Sequence, residues 1–292
     1  MSSIDRQILL TIAYSQQFTF PLKIGELWWR LLAPTDSFLQ LTPKAFASSL
    51  FRLMQSKKLI MNHGFLYLWR QEQTVVARLN RQLTSKKKRA ELQPLLMISS
   101  WIPWVCGVAI TGSLSMNNAD EHADADVMII TENNRLWLVR PLLVLFSFLN
   151  GKRRSWNKEE ENSWCLNLWL ERRSLSVPFA QRSVYTAHEV IQADWQISKG
   201  GTALEFYLAN RWVSNYFYHY QHSRIAESME AISVVPLTQL LDLLNHLAFQ
   251  LQKWYMKPHM TQERVQLSSA FFHPRDTRSL IVKNWKKILQ AV

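Results

Sequence analysis

Apolar positions in the first 70 residues recur three times at helical spacing and then alternate. Ile4, Ile8, Leu9 and Ile12 share one helical face behind Ser2 and Ser3, either of which can cap it. A second helix is expected from about Ile24 to Leu32, stopping before Pro34, and a third opens at Pro43 behind Thr42. The third should turn Phe46, Ala47, Leu50, Phe51 and Met54 inward, leaving Lys44, Ser48, Arg52 and Gln55 outside. Leu59-Ile60-Met61 and Phe65 to Trp69 then flank Asn62-His63-Gly64, a good turn sequence for a short hairpin.

Helix, helix, helix and hairpin is the order of a winged helix-turn-helix, which residues 1–70 resemble in pattern. On that reading Lys44 and Arg52 are possible nucleic-acid contacts, while a solvated face or a protein-docking role explains them as well. From Gln71 to about Gln93, just before Pro94, the sequence is helical and basic, with Lys86, Lys87, Lys88 and Arg89 in succession. It reads as a connector helix packed on the next domain, its lysines either an exposed face or further nucleic-acid contacts.

Between about 94 and 190 the period alternates. Strand-like Val105 to Thr111 and Val127 to Thr131, a helix from Leu136 to Leu149, and a strand from Trp164 to Leu170 predict an α/β layer, with a charged loop from Lys152 to Glu161 before the last strand. Beyond residue 190 the pattern is helical again, through Leu204, Tyr207, Leu208, Trp212 and Leu237 to Trp254. Trp28-Trp29 and Trp101 to Trp104 read as core. The expected fold class is α+β in three parts: residues 1–70, residues 71–190 with the connector helix, and a C-terminal helical region over residues 191–292.

Composition narrows the partners. The chain has 292 residues, too many for one ordinary core, and 48% hydrophobic residues with 7 Gly, which excludes a disordered chain. A formal charge of +12 favours polyanionic partners such as nucleic acid, nucleotides or an anionic membrane surface, without choosing among them. Cys106 and Cys165 both lie in apolar runs, as expected of reduced, buried thiols in a cytoplasmic protein, and two cysteines alone cannot make a structural zinc site. The N-terminus has no signal-peptide pattern, and the longest apolar stretch, Leu136 to Leu149, is broken by Arg140 and is shorter than the roughly 20 residues that span a bilayer. No membrane partner is expected.

The candidate chemistry lies in Val108-Ala109-Ile110-Thr111-Gly112-Ser113 followed by Asp124-Ala125-Asp126-Val127. A strand ending in Gly-Ser that opens a short helix presents amide N–H groups and a hydroxyl to an anion. Residues i and i+2 of a strand share a face, so Asp124 and Asp126 can converge near that turn. Two carboxylates beside a phosphate site suit Mg²⁺, which prefers oxygen ligands. The plainer alternatives are a solvated acidic loop for the aspartates and an ordinary helix cap for Ser113.

At these residues the chain resembles the DNA polymerase β-like nucleotidyltransferase superfamily, whose signature is an apolar strand, Gly-Ser, a spacer of this length and Asp-x-Asp in a second apolar strand. The similarity proper covers about residues 105–171. It implies a mixed-sheet nucleotidyltransferase domain in which Gly112 and Ser113 hold the phosphates of a nucleoside triphosphate and Asp124 and Asp126 ligate Mg²⁺ or Mn²⁺. A nucleoside monophosphate would pass to an acceptor hydroxyl, with DNA or RNA among the possible acceptors. The family's third carboxylate falls on Asn167, whose amide is uncharged and cannot act as a base. Glu171 is expected on the same face about 13 Å further along the strand, and Asp120 is the nearest spare acid. With Thr186-Ala187-His188-Glu189 and Phe272-His273-Pro274, the whole chain is similar to a group of prokaryotic nucleotidyltransferase-domain proteins with an N-terminal winged helix. His188, Glu189 and His273 could line the cleft or be structural. Two other readings stay open: a non-catalytic nucleotide- or nucleic-acid-binding regulator, and a toxin or defence enzyme that modifies tRNA or protein.

Overall fold

The computed structural model describes residues 2–33, 41–69, 71–153, 161–219, 238–260, 263–272 and 278–290. The first unit contains α1 (Ser3–Gln16), β1 (Leu22–Lys23), α2 (Ile24–Trp29), α3 (Pro43–Gln55), β2 (Leu59–Asn62) and β3 (Phe65–Leu68). Ser2 and Asp5 form a reciprocal capping box on α1: the Asp5 N–H donates to Ser2 Oγ at 3.1 Å and the Ser2 N–H to Asp5 Oδ2 at 2.8 Å. His63 and Gly64 both take positive φ, 50° and 77°, which matches the twist of the β2–β3 hairpin. β1 adds to β3 on its other side.

α3 is rotated relative to the expected face. Phe46, Ser49, Leu50 and Leu53 are buried, Ala47 is exposed, and Phe51 is 61% exposed. The cause is a polar joint with α1, where Arg52 Nη2 donates to buried Asp5 Oδ1 and to Ser49 Oγ, both at 2.8 Å. This joint draws positions 49 and 53 inward in place of 47 and 51.

The basic run lies in α4 (Gln73–Glu91), and a further helix follows, α5 (Gln93–Trp101). Pro94 therefore opens a helix where the sequence led us to expect an end; its missing N–H costs nothing in a first turn. α5 packs through Leu95, Leu96 and Ser99, so Trp101 lies outside that stripe and is exposed. Trp29 is exposed as well, so of the four tryptophans at 28, 29, 101 and 104 only Trp28 and Trp104 pack against core, both partly buried.

Next come β4 (Val105–Ile110), α6 (Gly112–Ser115), β5 (Ala125–Thr131), α7 (Leu136–Leu149), β6 (Trp164–Glu171), α8 (Val184–Gln192), β7 (Asp194–Ser198), α9 (Thr202–Ala209), α10 (Thr238–Met256), β8 (Arg264–Val265), β9 (Ser269–Phe271) and α11 (Arg278–Gln290). One mixed six-stranded sheet runs in the order β7-β4-β5-β6-β9-β8; β5 and β6 are parallel and every other neighbouring pair is antiparallel. The protein is thus α+β. Val105, Val108, Ile110, Val127, Ile129, Trp164 and Trp169 form one face of the sheet, packed with α5, α7 and α10. Cys106, Ala109, Met128, Ile130 and Leu170 form the other, packed with α8 and α9.

α7 follows its expected bounds and contains Pro141. Proline has no N–H for the carbonyl four residues back. That carbonyl, on Trp137, instead accepts from Gln252 Nε2 of α10 at 2.8 Å, while Asn245 Oδ1 takes the Trp137 N–H at 2.9 Å near the helix start. Three residues of α10, counting Asp242 paired to Arg135, thereby lock onto α7. Among the described residues no helix is long and apolar enough to cross a membrane.

Candidate functional site

Thr111 ends β4 with its N–H bonded to the Asp126 carbonyl at 2.9 Å, and the chain then turns into α6. Gly112 has φ +61°, a conformation side chains rarely adopt, and a Cβ there would collide with the Asp126 carboxylate. Position 112 is thus restricted twice, by backbone conformation and by a carboxylate lying directly on it. Ser113 is exposed at the same turn.

Asp126 is held from the opposite side by Asn167, whose Nδ2 donates to Asp126 Oδ1 at 2.7 Å. Asp124, the residue just before β5, also faces β6: its Oδ1 accepts the Ser163 N–H at 2.9 Å and the Ser163 hydroxyl at 2.8 Å, and Cys165 Sγ lies 3.5 Å from Oδ2. Gly112, Asp126 and Asn167 are therefore brought together, with Asp124 one step away through Cys165.

A bulge in β6 decides which acids can join them. Asp126 pairs with Cys165 but Met128 with Leu168, so Leu166 and Asn167 oppose Val127 alone. Beyond the bulge the alternation is inverted. Leu170 belongs to the core on the aspartate face and Trp169 to the core on the other, so Glu171 points away from Asn167, contrary to the expectation of a shared face. Glu171 is fully buried and ion-paired to Arg173 at 2.6 Å. Burial raises its carboxyl above the usual range, opposed by backbone N–H groups of Asn134 and Leu136 at the start of α7. Its place is structural. Asp120 accepts the His122 N–H at 3.1 Å within its own loop.

A further acid lies on α8, which packs across the aspartate face through Ala187 and Val190. Glu189 is only partly open to water; burial, with the negative charge of Asp126 as the second cause, pushes its carboxyl up to about 7. Its neighbour His188 is core: its ring stacks on Tyr14 at 3.8 Å, Nδ1 bonds the Val184 carbonyl at 2.8 Å, and burial pushes it down to about 3. The sequence signal for Glu189 was the one acidic residue of α8, but only packing buries it within reach of the charge on Asp126. His273 lies outside the described residues.

The basic run is used differently from the expectation. Lys86 and Lys87 are exposed on α4, and Lys44 is exposed on α3. Lys88 is buried and cannot contact a polyanion: its Nζ donates to the carbonyls of Glu121 at 2.9 Å and Ala123 at 2.7 Å and to Asn162 Oδ1. One turn earlier Ser85 Oγ accepts the Ala119 N–H at 3.1 Å, and Arg89 donates to the Leu114 carbonyl at 2.9 Å and pairs with Asp194. Residues 85, 88 and 89 thus grip both ends of the spacer between Gly-Ser and Asp-x-Asp. Arg52 is engaged with Asp5, although half its side chain stays exposed.

No family model matches the chain, and neither the curated proteins nor the solved structures give a match. The chemistry of the site must be argued from its own atoms. Among the described residues no three His, Cys, Asp or Glu side chains make a ready metal cage. The donors placed here are oxygens: the Asp126 carboxylate with the Asn167 amide against it, Asn167 Oδ1 being a buried acceptor with no hydrogen-bond partner among the described residues, and Asp124 one step away through Cys165. Such a set fits a hard divalent cation and does not fit a soft one.

Proposed function

We propose that the chain is a Mg²⁺-dependent nucleotidyltransferase of the DNA polymerase β-like type, transferring a nucleoside monophosphate from a triphosphate to an acceptor hydroxyl. The observation that carries this reading is the seating of Gly112 directly on the Asp126 carboxylate, with Asn167 on that carboxylate's other side. A motif glycine and a motif aspartate separated by a 13-residue stretch of chain form one contact, as the family resemblance requires.

In this reading Asp124, Asp126 and the Asn167 amide oxygen would hold Mg²⁺ (or Mn²⁺), which supplies charge neutralisation for a triphosphate and its pyrophosphate product. Gly112 permits the close approach of backbone amides to phosphate, and Ser113 offers its exposed hydroxyl there. Ser163 and Cys165 orient Asp124. Glu189, with its carboxyl near neutrality, can accept or give a proton beside Asp126, a role the Asn167 amide cannot fill. The three helices and hairpin of the first unit would act as a winged helix bringing nucleic acid or a protein to this site. Arg30 at the end of α2 reaches Met116 just past α6, at 2.9 Å, which gives that unit a physical link to the turn.

Incubation with each α-labelled triphosphate, Mg²⁺ or Mn²⁺ and cell extract tests the reading. Labelling of a macromolecule is expected, reduced on the order of 10³-fold by Asp126→Asn, the scale of losing one group that stabilises transition-state charge. Undiminished labelling by that variant, with its melting unchanged, would falsify the mechanism. The second reading, a nucleotide-binding regulator without turnover, is favoured by the amide at position 167. It predicts Mg²⁺-dependent nucleotide binding in calorimetry with no pyrophosphate released.

A further inference from the structure

Two of the three helices on this apolar side of the sheet, α7 and α10, each carry a second apolar stripe, facing outward. On α10 the exposed residues Leu240, Leu244, Leu247, Leu251 and Trp254 follow at steps of 4, 3, 4 and 3, the heptad spacing of a helix–helix seam. At 100° per residue all five fall within one narrow strip of the helix surface. Leu243 and Tyr255 flank it. On α7 the outward residues Leu142, Leu145, Phe148 and Leu149 extend the apolar surface, in a stretch with no charged side chain from Pro141 to Asn150. The fold itself does not use these groups. α10 meets α7 and the sheet through Asp242, Asn245, Phe249, Gln252 and Met256, on the opposite side of the helix.

Exposure in this set ranges from 42% at Leu244 to 75% at Trp254. Large side chains at that exposure present on the order of 100 Å² each, and together they approach the ~800 Å² per partner of a standard stable interface. That is more than the few hundred Å² a monomer's surface usually leaves open.

We propose that this face is a homodimer interface, in which α10 of one copy packs on α10 of a second about a two-fold axis and the two α7 helices complete a four-helix layer. Charge argues for a second copy. With a formal charge of +12 the chain repels its own kind, and Lys253 is the one cation among the exposed residues of this strip from Gln239 to Tyr255, so two copies can approach here without bringing charge together. A polyanion gains nothing from an uncharged leucine seam. Self-pairing also needs no complementary partner, because a two-fold axis sets each leucine strip against its equal. The candidate site lies on the other side of the sheet, so pairing leaves it open.

Light scattering on the eluting 292-residue chain decides the matter. The expected mass is twice 34.3 kDa, falling to 34.3 kDa for Leu247→Glu/Leu251→Glu, with helical circular dichroism and melting retained because both positions are solvent-facing in the single chain. A second measurement is independent of the double variant's folding: Leu247→Cys should form an interchain disulfide on mild oxidation, and Phe51→Cys, exposed on the distant α3, should not. A 34.3 kDa species for the native chain at every micromolar concentration overturns the proposal, including the case in which that monomer binds phosphatidylcholine vesicles through the same strip. A dimer that survives both glutamates overturns it too.

Discussion

The two faces of the central sheet are built from the same strands and have opposite chemistry. One is filled by Val108, Ile110, Val127, Ile129, Trp164 and Trp169 under α5, α7 and α10, and Asn245 and Gln252 of α10 bond backbone atoms of α7. The other is apolar only in its middle. Towards the start of β5 it carries Asp126, bonded by Asn167, and α8 adds the buried carboxyl of Glu189, which feels the negative charge of Asp126. Burying carboxylates side by side costs stability, and a fold keeps such a cost where the charges serve a purpose. The lesson is a division of labour across a single sheet: one face is filled with apolar side chains, and the edge of the other holds the carboxylates on which the proposed chemistry rests.

The contrast can be broken by substitutions on each side. Trp137, fully buried on the dry face with its Nε1 bonded to the Leu267 carbonyl at 2.8 Å, should cost about 3–5 kcal/mol as Trp137→Ala. Urea denaturation measures this, and a loss under about 1 kcal/mol would contradict the assignment of stability to this face.

Glu189→Gln should act in the opposite direction. The folded carboxyl sits at about 7, above its ordinary 4.5, so its protonated form is favoured in the native state. Its contribution is full below about pH 4.5, fades as pH rises through 7, and is absent above. Removing the charge should flatten the decline in unfolding free energy between pH 5 and pH 8 by about 3 kcal/mol and leave the variant the more stable at pH 8. Melting curves at the two pH values check this, and an unchanged pH slope would mean that the Glu189 carboxyl is not buried as described.

Lys88→Met keeps the length of the buried stem and removes the ammonium. A smaller loss, about 1–3 kcal/mol, is expected because three oxygens lose a donor. The sharper readout is exchange of the amide hydrogens in residues 119–125, which should speed up as the spacer loosens. Unaltered exchange there would mean that Lys88 is not what holds the loop.

Local pattern recorded much of the scaffold. The caps at Ser2 and Thr42, the His63-Gly64 turn, the Leu136–Leu149 helix and the apolar strands around Gly112 and Asp126 all follow from residues adjacent in the chain, where sterics and period act directly. The α3 face was misjudged by one position because Asp5, on another helix, holds Arg52. Glu171 was assigned to the wrong face because a single extra residue in β6 inverts everything after it. Nothing in the sequence marks that bulge.

By itself, then, the sequence determined most of the helices and strands up to residue 171, where period and caps act on neighbouring residues, but it missed α5 and read as helical the stretch that supplies β7, β8 and β9 to the sheet. Only the tertiary structure decided that Glu189 is buried within reach of the charge on Asp126, that Lys88 is an internal strut, and that the leucines of α10 look outward. These depend on how elements distant in the chain pack, and a rotation of one position on a helix or one residue on a strand is enough to turn a side chain from core to surface.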